Sequence, residues 1–256
     1  MMGIYGKDYM MINREGDVDM KWIEAASYGE MSKIAADLFI DHIQKDSKSV
    51  IGLATGGTPE GFYKELVKSY EAGEISFSET TTFNLDEYVG ITEESEASYH
   101  HYMKKHLFHY IDIKPENIHL PNGSAPDLEK AAKEYESKIK EAGGIDVQLL
   151  GIGINGHIGF NEPGSSFEQE THIVELTAST REANKIYFER LEDVPTHAIT
   201  IGIQTIMQAK KIVLLISGAS KQEAYDRLRT GQVTEQFPAS VLHLHGDVTV
   251  IYTGVS

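Results

Sequence analysis

The sequence predicts an α/β fold: a single domain with a mainly parallel central sheet flanked by helices on both faces. Three observations lead there. Short apolar runs alternate with amphipathic stretches along the chain. The runs are near-continuously hydrophobic, as strands covered on both faces must be. The 256 residues, 41% of them hydrophobic, supply one large core, and no internal repeat, low-complexity tract or interdomain linker divides them.

The elements follow in order. From Tyr28 to Gln44, Met31, Ile34, Ala35, Leu38, Phe39 and Ile43 recur at helical spacing. The apolar run Val50 to Ala54 then reads as a buried strand, and "TGGTPEGFYKELV" as a tight turn entering a helix with Pro59 in its first turn. Thr81 to Leu85 predicts a strand, Ser98 to Tyr110 a helix, Asn117 to Leu120 a short strand and Leu128 to Glu141 a helix. Val147 to Ile152 is the most apolar strand to that point. Beyond it, strands are expected over Thr171 to Leu176, Ala198 to Ile203 and Lys211 to Ile216, with further strand material over Val241 to Tyr252. Helices are expected over Arg181 to Leu191 and Lys221 to Arg229. Residues 1–19 are polar and contain several methionines that compete with Met20 as the start, so they read as an N-terminal extension compatible with disorder.

Composition narrows the partners. Basic residues number 23 and acidic ones 39, a net charge of −16, and that field repels nucleic acid and anionic membranes alike. A phosphate ligand must therefore be held by local donors. With no cysteine there is no disulfide, no thiolate nucleophile and no zinc–thiolate site, which fits a reducing cytoplasm. The N-terminus carries no apolar export core, and no run approaches the ~18 apolar residues of a membrane span, so a cytoplasmic protein is expected.

In parallel sheets ligands bind at the carboxyl ends of strands, which directs attention to the loops after Ala54, Leu85, Ile152 and Ile216. "GIGINGHIGFNEPG" contains Gly151, Gly153 and Gly156 at a dinucleotide-binding spacing. That reading needs a helix opening at Gly156, and Gly159 and Pro163-Gly164 argue against one. What remains is a glycine-rich loop carrying Asn155, His157 and Glu162, in which the carboxylate can orient the imidazole and stabilise its protonated form. In "FNLDEYVG", Asp86 and Glu87 follow a strand directly. If Phe83, Leu85 and Tyr88 wall one carboxylate, desolvation raises its pKa toward the range of a base, and Asp86, nearer the strand end, is the better candidate. "ATGGTP" offers the backbone N–H groups of Thr55, Gly56, Gly57 and Thr58, with two hydroxyls, as an anion nest, but lacks the Gly-Lys-Ser/Thr ending of a nucleotide P-loop. A phosphate monoester is the expected ligand, with Lys221 and Arg181 as candidate cations. His100, His101, His106 and His109, and the pair His243 and His245 expected on one strand face, lack the tight histidine pair with a glutamate base, so no metal is expected.

Taken together, "GLATGGTPEGFYKEL", "FNLDEYVG", "GIGINGHIGFNEPG", "TASTREAN" and "SGASKQEA", in this order, resemble the glucosamine-6-phosphate deaminases of the glucosamine/galactosamine-6-phosphate isomerase family. "LDEYVG" with "GHIGFNEPG" separates them from the related 6-phosphogluconolactonases. The resemblance runs from about Met20 to the C-terminus. It implies a Rossmann-like fold of the deaminase/6-phosphogluconolactonase type, with residues 20–256 as the catalytic domain. It also implies conversion of glucosamine 6-phosphate and water to fructose 6-phosphate and ammonia, with no metal or organic cofactor. By resemblance, His157 accepts the ring hydroxyl proton, Glu162 supports it and Asp86 moves the proton from C2 to C1. Thr55, Gly56, Gly57, Thr58, Gly151, Arg181 and Lys221 match substrate- or phosphate-binding positions. Where some members carry aspartate this chain has Asn155, whose neutral amide cannot accept a proton and is left to orient His157 or bind the sugar. Competing readings are a lactonase, which needs no base at C2, and a non-catalytic sugar-phosphate sensor. Regulated hexameric members carry basic residues where this chain has His172 and Val174, close to Glu168 and Glu170. The expectation is therefore a monomer or small homo-oligomer, with hyperbolic kinetics and no activation by N-acetylglucosamine 6-phosphate.

Overall fold

The computed structural model describes residues 20–255; the expectation for residues 1–19 lies outside them. In chain order the elements are β1 (Lys21–Glu24), α1 (Tyr28–Lys45), β2 (Val50–Leu53), α2 (Glu60–Glu71), β3 (Thr81–Asn84), β4 (Asp86–Tyr88), α3 (Tyr99–His106), β5 (Ile118–His119) and α4 (Leu128–Glu141). There follow β6 (Val147–Gly151), β7 (His172–Glu175), α5 (Ala178–Asn184), β8 (His197–Thr200), α6 (Ile203–Met207), β9 (Lys211–Ser217), α7 (Gln222–Arg229) and β10 (Val248–Thr253).

Seven strands form the main sheet in the order β1-β10-β9-β6-β2-β3-β5, every pair parallel. β2 and β6, at its centre, are the apolar runs buried on both faces, whereas β1 is an edge strand with exposed ends and half-buried middle residues that the apolar pattern does not reveal. Helix starts follow capping chemistry. Ser27 accepts the Glu30 N–H at 3.2 Å while Glu30 accepts the Ala26 N–H at 2.7 Å, and Asp127 accepts the Lys130 N–H at 3.0 Å. Phe39 of α1 and Phe62 of α2 meet edge to face at 4.9 Å and are fully buried, each worth ~2 kcal/mol of apolar burial.

β4, β8 and β7 instead make a separate antiparallel sheet, so the strands expected near residues 171 and 198 do not extend the main one. Leu85 joins the two sheets: its N–H donates to Leu53 O at 3.0 Å in the large sheet, and its carbonyl accepts the Ile201 N–H at 2.7 Å beside the small one.

Other boundaries shift for local reasons. The strand from Ala198 stops at Thr200 because Gly202 runs against the Gln169 carbonyl, 2.0 Å from where a Cβ would stand, and then begins α6. α3 ends at His106, and only a 3-10 turn continues over Phe108–Tyr110. α5 starts three residues before Arg181 because Thr177 accepts the Thr180 N–H, and it passes into a 3-10 turn at Lys185–Tyr187. Val241 to Leu244 belongs to a 3-10 segment opened by Pro238. His243 and His245 therefore share no strand face: their Nε2 atoms lie 2.7 Å from the carbonyls of Leu228 and Ala209 respectively.

Candidate active site

A cleft of about 270 Å³ opens at the carboxyl ends of β2, β3, β6 and β9, and all four loops singled out by the strand-end rule contribute to it. Thr55 to Thr58 form its floor, with Gly56 at φ +100°, a left-handed conformation suited to glycine. None of the four N–H groups from Thr55 to Thr58 donates to a carbonyl among the described residues. They are not consumed by the backbone at the entry to α2, as an anion nest requires.

Asp86 and Glu87 separate cleanly. Glu87 is buried behind the cleft and caps α3: its carboxylate accepts the N–H groups of Tyr99 and His100 and lies 2.9 Å from His100 Nδ1. Asp86 lines the cleft, is 7% exposed, and has no side-chain hydrogen bond among the described residues. Burial, and next the negative charge of Glu87, push its carboxyl up to about 8.

The glycine loop reaches the same place from β6. A Cβ on Gly159 would stand 3.5 Å from Asp86 Oδ2, so the two loops touch. No helix opens at Gly156; the next one is α5. The His157 imidazole lies flat over Gly153, and its Nδ1 is 3.6 Å from Glu162 Oε2. Asn155 donates to Glu162 Oε2 at 2.7 Å and accepts the His157 N–H at 3.2 Å, so this neutral amide fixes both partners. Thr180 donates to the other Glu162 oxygen. Burial alone would raise the Glu162 carboxyl, but His157, Thr180 and Asn155 outweigh it and hold it below the usual carboxylate range.

Gly151 and Lys221 line the cleft as expected. Lys221 rides on the turn after β9, and burial alone lowers its ammonium pKa, with no carboxylate paired to it among the described residues. Arg181 is not brought to the cleft with the other candidates. Its guanidinium donates to the carbonyls of Leu191 at 3.1 Å and Val194 at 3.0 Å and does not line the cleft. The cleft face of α5 and its continuation carries Thr180, Ala183, Asn184 and Tyr187, the 3.6-residue stripe from which Arg181 is turned by about 100°. Sequence reasoning missed Thr180, which "TASTREAN" hides among equivalent hydroxyls, and Glu87 as the α3 cap.

Fold and cleft together define a parallel-sheet α/β protein that gathers acid–base groups around an anion-ready loop. Residues 24–251 match the family model described as glucosamine-6-phosphate isomerases/6-phosphogluconolactonase, and the chain belongs to that family. It is 58% identical to a glucosamine-6-phosphate deaminase of Lysinibacillus sphaericus over 93% of this chain and 100% of that one. It is 51% identical to glucosamine-6-phosphate deaminase 1 of Bacillus subtilis over 91% and 96%. Among solved structures, a monomeric glucosamine-6-phosphate deaminase superposes with a TM-score of 0.90 at 50% identity, covering 91% of this chain and 97% of that one. A 6-phosphogluconolactonase of Thermotoga maritima, at 20% identity and a TM-score of 0.72 over 91% and 100%, shares the fold.

Proposed function

We propose that this chain converts glucosamine 6-phosphate and water to fructose 6-phosphate and ammonia; its 58% and 51% identical relatives, each named a glucosamine-6-phosphate deaminase, support the reading. The observation that carries the reading is the pairing, in one cleft, of the Asp86 carboxylate with the His157–Glu162 pair on a second loop. Ring opening takes a proton from the anomeric hydroxyl and returns one to the ring oxygen. His157 relays it while Glu162, fixed by Asn155 and Thr180, stabilises the imidazolium. Asp86 then removes the C2 proton and delivers it to C1, which turns the amino aldehyde into a ketimine. Water adds to the ketimine and ammonia leaves. The amides of Thr55 to Thr58 and the Lys221 ammonium hold the phosphate throughout, with Gly151 beside the sugar.

A lactonase activates water at a carbonyl and has no use for a base over C2, so an unpaired Asp86 favours the deaminase. The test is ammonia release from glucosamine 6-phosphate assayed beside hydrolysis of 6-phosphogluconolactone. Deaminase activity alone is expected; lactone hydrolysis without ammonia would overturn the reading.

The same proposal takes the enzyme as a cytoplasmic monomer with hyperbolic kinetics, on the likeness to a monomeric deaminase at 50% identity. His172 supports it: burial lowers its imidazole pKa and its Nδ1 lies 2.9 Å from the Glu170 carbonyl, while Lys140 is paired to Glu170 at 2.6 Å. Neither His172 nor Lys140 is therefore a spare cation for an effector phosphate. Sigmoidal kinetics made hyperbolic by N-acetylglucosamine 6-phosphate would refute this part.

A further inference from the structure

Three tyrosines from three different helices converge on the carbonyls of the 54–58 loop, Tyr102 from the wall of the cleft itself. Tyr63, in the first turn of α2, donates its hydroxyl to the Ala54 carbonyl at 2.5 Å. Tyr102 of α3 donates to the Gly56 carbonyl at 2.7 Å. Tyr28, the first residue of α1, reaches the carbonyls of Gly57 at 3.1 Å and Thr58 at 3.0 Å, and its oxygen accepts the Gly61 N–H at 2.8 Å.

The peptide bonds among the described residues are all trans. In a trans peptide the carbonyl of one residue and the N–H of the next point in opposite directions. Tying back the carbonyls of Ala54, Gly56 and Gly57 therefore turns the N–H groups of Thr55, Gly57 and Thr58 the other way, and these amides donate to no backbone carbonyl among the described residues; on the cleft side the Gly57 backbone meets Tyr187. Were any of these peptides to rotate, a carbonyl oxygen would replace a donor and repel an anion. Glycine makes that rotation easy at Gly56 and Gly57.

We propose that Tyr28, Tyr63 and Tyr102 are positioning residues for the phosphate grip, their hydroxyls holding the loop carbonyls back so that the intervening amides are set for the anion before it arrives. The proposal rests on the reading that this loop receives the sugar phosphate. It gives the hydroxyls a role in affinity that touches no reacting atom, since donors already oriented need no rearrangement on binding.

Tyr28→Phe is the sharpest test, because Tyr28 does not line the cleft and its ring, 40% exposed, leaves little to collapse. The variant's affinity for inorganic phosphate is measured by calorimetric titration, beside KM and kcat for glucosamine 6-phosphate. Loss of a net hydrogen bond predicts a phosphate Kd and a KM both raised about 3- to 10-fold, with kcat held within about twofold. Tyr102→Phe is expected to do the same. Tyr135→Phe is the control, since its hydroxyl serves the carbonyls of Asn84 and His119 at 2.7 and 3.2 Å; it should change neither Kd nor KM. Unchanged phosphate affinity in both Tyr28→Phe and Tyr102→Phe, or a fall in kcat at constant KM, would overturn the proposal while leaving the deaminase reading intact. A wild-type enzyme that bound neither phosphate nor glucosamine 6-phosphate would instead remove the reading itself, and the proposal with it.

Discussion

Asp86 and Glu87 are neighbours in β4 whose carboxylates occupy opposite surroundings. Strand geometry sends successive side chains to opposite faces. The Asp86 carboxylate lines the cleft without a hydrogen bond among the described residues, while that of Glu87 is satisfied behind it by the N-terminus of α3 and His100. Burial, and next the charge of Glu87, hold the Asp86 carboxyl up.

Asp86→Asn removes the base and keeps the shape. Turnover should fall by ~10²–10⁴-fold or more while phosphate affinity stays near wild type. Washing the C2 proton of substrate into deuterated water at the wild-type rate would sink the assignment.

The same variant should be the more stable protein. The Asp86 carboxyl is raised from 3.8 to about 8, so between those pH values the native state binds more protons than the unfolded one, and wild-type stability falls as pH rises through that window. Asparagine abolishes this slope. Melting curves should show the variant's advantage growing from pH ~4 to ~8 and then levelling, by ~3 °C or more at the plateau.

A base that must be ionised to act sets the acid limb of kcat/KM. In the free enzyme that limb should fall well above the ordinary carboxylate range, toward about 8, with activity lost as pH drops. Glu87→Gln, which removes the neighbouring charge, should move the limb to lower pH. A profile whose limb does not move would mean that Glu87 serves only as a helix cap.

Gly153→Ala places a methyl 2.3 to 2.5 Å from three ring atoms of His157. The imidazole must leave its place beside Glu162, so kcat should fall by ~10²-fold or more while the phosphate Kd is unchanged. A crystal structure of the variant with the ring undisplaced would contradict this.

Lys221→Ala should mainly raise KM, because a charge-assisted phosphate contact is made alike in the ground and transition states. Separate kcat and KM values decide it. A large fall in kcat at unchanged KM would assign Lys221 to the chemistry.

Legibility followed the physics of burial. β2, β6 and β9 are apolar because helices cover both faces, and α1 shows its periodicity because only one side is buried, so the alternation and the strand-end loops could be read directly. The antiparallel sheet could not. β7 and β8 carry the same short apolar pattern as parallel strands, and the change of sheet depends on backbone hydrogen bonds made by Leu85. Asp86, Asn155, His157 and Glu162 were legible from residue type and loop context. The direction of Arg181 was not: it turns on where α5 starts, which Thr177 decides by capping. The tyrosine hydroxyls on the 54–58 loop leave no sequence spacing at all, since their partners are carbonyls that every residue possesses.

The crossing at Leu85 makes the cleft modular. On the proposed roles, the anion-binding loop hangs from the large parallel sheet and the Asp86 carboxylate from the small antiparallel one, and Leu85 bonds to both sides. Redesign can thus address them separately. Replacing the 86–88 strand and its partners offers a route to new chemistry on the same phosphorylated sugars, with the anchoring end of the enzyme left untouched.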